Sequence, residues 1–116
     1  MNKNKIAILL PFKDHFTNSQ AGSASIWVKD FNKKSKYNNQ LVIFGNTTYL
    51  SDLIDKKRYK NINFNTLSFS SKNISYIKEF INNTAQNKFK IIEIHNRPSY
   101  ALQIIEKGIK SKIVLI

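Results

Sequence analysis

The sequence predicts an α/β domain: an open, parallel sheet with helices on both faces. Three observations carry that expectation. Its apolar residues fall in short continuous runs, the pattern of strands buried on both sides rather than half-exposed. Segments with apolar residues three and four apart stand between those runs, as amphipathic helices would. The two kinds alternate along the chain, and alternation of this kind makes a parallel sheet with crossover helices.

Ile6 to Leu10 is the first run, stopped by Pro11. A polar loop, Phe12 to Gly22, follows it. A helix is expected from Ser23, with Ala24, Trp27, Val28 and Phe31 as its core-facing stripe. Lys33, Lys34 and Lys36 close it, where cations suit the negative end of the helix dipole. Leu41 to Phe44 is the second strand, ended by Gly45-Asn46. Residues 47–62 are ambiguous and leave room for a short helix around Tyr49 to Ile54. Asn63 to Phe69 alternates imperfectly and is expected to be an edge strand. Ser71 to Asn83 is helical by pattern, with Ile74, Ile77, Phe80 and Ile81 on one side. Ile91 to Ile94 is the next strand, and His95-Asn96-Arg97-Pro98 is its exit loop. Ser99 is the expected N-cap of a helix carrying Ala101, Leu102 and Ile105 and ending at Gly108. Ile113 to Ile116 is the last strand.

The chain has 116 residues, room for one domain. A terminus rarely falls in the middle of a core strand, so the ending at Ile116 leads us to expect a piece of a longer protein. The 19 Lys and Arg against 7 Asp and Glu give a net charge of +12, which invites a nucleic-acid partner. Two features argue against one. Lys outnumbers Arg 17 to 2, and Arg is the side chain suited to bidentate phosphate and guanine contacts. The excess is also spread out: +5 over residues 1–45, +5 over 46–90 and +2 over 91–116. With 17 Ile and 15 Asn beside the 17 Lys, biased codon usage accounts for most of the charge. No Cys is present, which removes disulfides, thiol catalysis and Cys-ligated zinc together. The first apolar run is too short for a signal peptide or a membrane span, so a cytoplasmic protein is expected.

In an open parallel sheet, ligands bind beyond the carboxyl ends of the strands, where strand order reverses. If the first strand is central, that point lies between it and Ile91–Ile94. It brings loop 12–22 opposite loop 95–99. Ala21, Gly22 and Ser23 are small residues entering a helix, so a backbone there can approach a ligand and offer N–H groups to an anion. His95, Asn96 and Arg97 face them, and Arg97 stands out where Lys is the rule. Glu93 is a carboxylate in a strand expected to be buried, so it should reach the crevice or pair with a Lys. Asp14 and His15 are further candidates. His15 and His95 have no third partner in the sequence, so no metal site is expected, and neither a P-loop nor Gly-x-Ser-x-Gly occurs.

Four segments together resemble the N-terminal domain of family 4 glycosyltransferases: Lys5 to Pro11, Ala21 to Trp27, Val42 to Gly45, and Ile91 to Pro98. The most specific is Ile92-Glu93-Ile94-His95-Asn96-Arg97-Pro98. The resemblance covers nearly the whole chain. It implies a GT-B enzyme with two Rossmann-like domains facing across a cleft, of which residues 1–116 are part of the acceptor-side one. The C-terminal domain, which binds a nucleotide-diphosphate sugar, is then absent, with its Lys/Arg pair and paired glutamates, and the fragment is expected to be inactive alone. The implied activity is retaining transfer of a sugar to a cell-surface polysaccharide or lipopolysaccharide acceptor, with no metal or other cofactor. Ala21, Gly22 and Ser23 would approach the donor, Asn96 and Arg97 would bind substrate, and His95 would be catalytic, so that His95→Ala should cut turnover far more than stability. Many members carry two glycines in the first loop; here there is one. Peripheral contact with the inner face of a membrane fits the basic surface. The competing expectations are a small basic nucleic-acid-binding α/β domain and a flavodoxin-like nucleotide-binding module.

Overall fold

A computed structural model describes residues 5–64, 71–87 (85–87 by backbone alone) and 89–116. The strands are β1 (Ile6–Leu9), β2 (Leu41–Gly45), β3 (Tyr59–Asn61), β4 (Ile91–Ile94) and β5 (Lys112–Leu115). The helices are α1 (Ser23–Lys34), α2 (Lys72–Asn87) and α3 (Pro98–Glu106). All strand pairings are parallel, and the sheet order is β3-β2-β1-β4-β5. The expected fold class, a Rossmann-like α/β sheet, is therefore observed. β1 is central, and the order reverses between β1 and β4.

Register divides the sheet into two apolar layers. Ile8, Leu10, Leu41 and Ile43 pack with Phe16 and with Ala24 and Val28 of α1. Ala7, Leu9, Phe44, Ile92 and Ile94 point to the other side, against Tyr76, Ile77 and Phe80 of α2 and Tyr100, Ala101 and Ile104 of α3. Successive strand residues point to opposite faces, so the continuous apolar runs are what a sheet covered on both sides requires.

Several local expectations need correction. The edge strand is Tyr59–Asn61, inside the ambiguous stretch. Residues 62–64 are not strand, and 65–70 lie outside the described residues. The short helix near 49–54 is a 3₁₀ turn, Leu50–Asp52. In α1, Trp27 is 43% exposed, and Ser25 and Asn32 are buried instead. In α2, Tyr76 is fully buried while Ile74 is exposed. In α3, Tyr100 and Ile104 are buried while Leu102 and Ile105 are exposed. Its N-cap is Arg97, with Pro98 in the first turn rather than Ser99 as the cap, a position where a missing N–H costs nothing.

Candidate functional site

At the reversal point between β1 and β4 lies a cleft of about 430 Å³. Pro11, Phe12, Lys13 and Asp14 form the β1 wall, Gly22 and Ser23 the start of α1, and Asn96 and Arg97 the β4 wall. The two loops expected to face each other do so.

The β1 wall is held by side chains from distant helices. The Tyr76 hydroxyl donates to the Leu10 carbonyl at 2.7 Å. The Tyr100 hydroxyl accepts from the Phe12 N–H at 3.1 Å and donates to Asn73 Oδ1. Burial pushes both phenols up, Tyr76 well above the ordinary tyrosine value. For Tyr100 that rise is opposed by the Phe12 N–H and by the positive charge of Arg97 beside it. The Phe12 ring packs edge-on to Phe64 and tilted against Tyr76, with centroids 5.5 and 5.6 Å away.

Asp14 closes this wall. Its carboxylate accepts the backbone N–H groups of Gly22, Ala24 and Ser25 at 3.1, 3.1 and 3.2 Å. The expected anion at the N-terminus of α1 is thus a carboxylate of the chain itself, at the positive end of the helix dipole. It also explains Gly22: a Cβ there would meet the Asp14 carboxyl carbon at 2.7 Å. The glycine lets the cap form.

The β4 wall is built differently. Asn96 N–H donates to the Ile116 carbonyl at 3.0 Å, and Arg97 Nη1 donates to the Asn96 carbonyl at 2.8 Å. Behind this loop, His95 Nε2 lies 2.8 Å from Glu93 Oε1, both residues buried. Glu93 and His95 are two apart on one strand, so they share a face; Glu93 pairs with that His rather than with a Lys. Trp27 covers the imidazole, ring centroids 5.0 Å apart. His95 is 2% exposed and is not part of the cleft lining.

Of the expected site residues, Gly22, Ser23, Asn96 and Arg97 come together at the cleft, Ala21 is half-buried beside it, and His95 stands behind it. His15 is half-buried, with Nδ1 unpartnered. Lys13, Trp27, Tyr76 and Tyr100 were not anticipated. Lys13 (φ 73°) and Asn96 (φ 58°) are the non-glycine residues with left-handed backbone among those described, one in each wall. Such conformations cluster at functional sites, but no local signal in the sequence announces them. Among the described residues, no three His, Asp or Glu side chains converge on a metal-sized site, and no helix is long and apolar enough to cross a membrane.

Comparison of the chain with protein families, curated proteins and solved structures finds no match.

Proposed function

We propose that this chain is the acceptor-side part of a retaining glycosyltransferase that moves a sugar from a nucleotide-diphosphate donor to a cell-surface polysaccharide or lipopolysaccharide, and that the cleft between β1 and β4 receives the acceptor sugar. The observation that carries this reading is the composition of the cleft. Ser23, Asn96, Asp14 and the cations Lys13 and Arg97 line the cleft together with the apolar Phe12 and Pro11. That mixture of donors and acceptors beside an apolar patch suits a polyhydroxylated ring. The resemblance of Ile92 to Pro98 to the family supports the same reading.

The alternatives fit less well. A nucleotide-binding module of flavodoxin type would offer the α1 N-terminus to a phosphate, and Asp14 already takes three N–H groups there. A nucleic-acid surface that reads guanine by bidentate contacts would draw its arginines together. Arg58 precedes β3 and bonds the Asn39 carbonyl, while Arg97 follows β4, at the other end of the parallel sheet.

In this mechanism the chain positions the acceptor hydroxyl, and the donor's departing diphosphate is stabilised electrostatically. His95 acts on the cleft through the loop it supports. The test is transfer of labelled sugar from a panel of nucleotide sugars to a lipid-linked glycan extract by the complete enzyme. Ser23→Ala and Arg97→Ala should each lower kcat/KM about tenfold or more. Absence of transfer from every donor, with the protein folded, would exclude the reading.

A further inference from the structure

We infer that the group recognised in the cleft between β1 and β4 is an anion carried by the acceptor sugar, a carboxylate or a phosphate, held between Lys13 on one wall and Arg97 on the other. This deepens the acceptor-sugar reading and rests on it.

The charge balance of the cleft is the first support. Lys13 and Arg97 reach it from separate loops. Among the described residues, no carboxylate lies within salt-bridge distance of either cation; the contact of that kind is Glu93–His95. The carboxylate lining the cleft, Asp14, is engaged by the N–H groups of Gly22, Ala24 and Ser25. The helix terminus offsets part of its charge, so the concavity stays net positive.

The second support is how the two cations are presented. Lys13 has a left-handed backbone, and its ammonium lies 5.8 Å from the Phe12 ring centroid. Arg97 is the N-cap of α3, with one guanidinium nitrogen tied to the Asn96 carbonyl. That bond limits the fork's freedom, leaving further N–H donors for a ligand. A planar fork suits a carboxylate or phosphate, and Lys does not replace it. In a chain with 17 Lys and 2 Arg, an Arg at this position is a chemical choice.

The test is a titration of the ¹⁵N-labelled chain, at low salt, with glucuronate, glucose 6-phosphate, glucose and UDP, following backbone amides by NMR. Glucuronate or glucose 6-phosphate should shift the amides of Lys13, Gly22, Asn96 and Arg97, and whichever binds tighter identifies the anion. Glucose should bind about tenfold more weakly or worse, and 0.5 M salt should abolish the difference. Arg97→Ala and Lys13→Ala, both at exposed positions, should each weaken the acidic sugar about tenfold with the rest of the spectrum intact. Equal binding of glucose and the acidic sugars would overturn the anion assignment and leave the sugar site standing. Shifts with UDP alone would assign the anion to the donor and overturn it too. No shift at these amides with any sugar would sink the acceptor-sugar reading itself.

Discussion

Both ends of the parallel sheet carry a concavity, and the two are built on different principles. At the amino end, Thr84, Phe89, Lys90 and the turn Gly108 to Ser111 frame about 590 Å³. At the carboxyl end the cleft is smaller, about 430 Å³. The larger cavity is a gap where turns enter β4 and β5. Its left-handed residue is Gly108 (φ 77°), with nothing within 4 Å of where a Cβ would stand. The smaller one is over-determined: hydrogen bonds arrive from α2 and α3, a carboxylate caps α1, and the buried Glu93–His95 contact backs the second wall. It keeps side chains at both left-handed positions, where glycine would be unstrained. The two concavities therefore differ less in volume than in the density of their constraints.

That contrast can be broken most severely at His95. Replacing it by Ala leaves the buried Glu93 carboxyl without its hydrogen-bond partner, which costs about 1–3 kcal/mol. Urea denaturation of His95→Ala should show a loss of about 2–3 kcal/mol, the upper part of that range because Glu93 is only 9% exposed. This changes what the substitution reports: any effect on turnover arrives together with a loss of stability. A double-mutant cycle with Glu93→Gln checks the cause. A coupling below about 0.5 kcal/mol would mean that the pair does not support the β4 wall.

A smaller effect separates the glycines at the two ends. Gly22→Ala forces the Asp14 carboxylate away from three N–H groups and should cost about 2 kcal/mol, the upper range for losing an N-cap. Asp14→Ala should cost about as much, and the two should be strongly non-additive because they remove the same cap. Gly108→Ala meets no atoms and carries backbone strain alone, about 1 kcal/mol. Equal losses at Gly22 and Gly108, read by thermal unfolding, would contradict the view that the carboxyl end is the constrained one.

The alternation of strands and helices was legible in the sequence and, on the condition that β1 is central, so was the facing of loops 12–22 and 95–99. They follow from apolar runs and from rules that hold for parallel sheets generally. The helix faces were less so. In α3, Ala101, Leu102, Ile104 and Ile105 supply two overlapping stripes, and periodicity alone does not choose between them. The choice falls to Tyr100, whose hydroxyl meets the Phe12 N–H, a contact 88 residues apart. In α1, hydrophobicity pointed Trp27 inward. The small Ala24 and Ser25 take the sheet-facing positions instead, and Trp27 turns to cover His95. The Asp14 cap was hidden for the same reason: its partners are backbone N–H groups, which every residue has. Contacts between polar groups far apart in sequence leave no periodic trace, and they are what shape this cleft.

The smallest expected effect is the most discriminating, because it runs in the opposite direction. A non-glycine side chain in left-handed backbone costs about 1–2 kcal/mol, less for Asn, which tolerates that region. Lys13 is the more costly of the two. Lys13→Gly relieves the strain, while glycine's greater freedom in the unfolded chain returns about 0.5–1 kcal/mol. The net expectation is a gain in stability of about 0.5 kcal/mol, measured by urea denaturation, accompanied by weaker binding of an acidic sugar. Asn96→Gly should be close to neutral. A residue that destabilises the fold where it stands, and whose removal costs binding, is kept for what its ammonium does in the cleft. If Lys13→Gly instead destabilises the chain, Lys13 belongs to the structural scaffold through its position over Phe12, and the carboxyl end differs from the amino end only in how tightly it is tied.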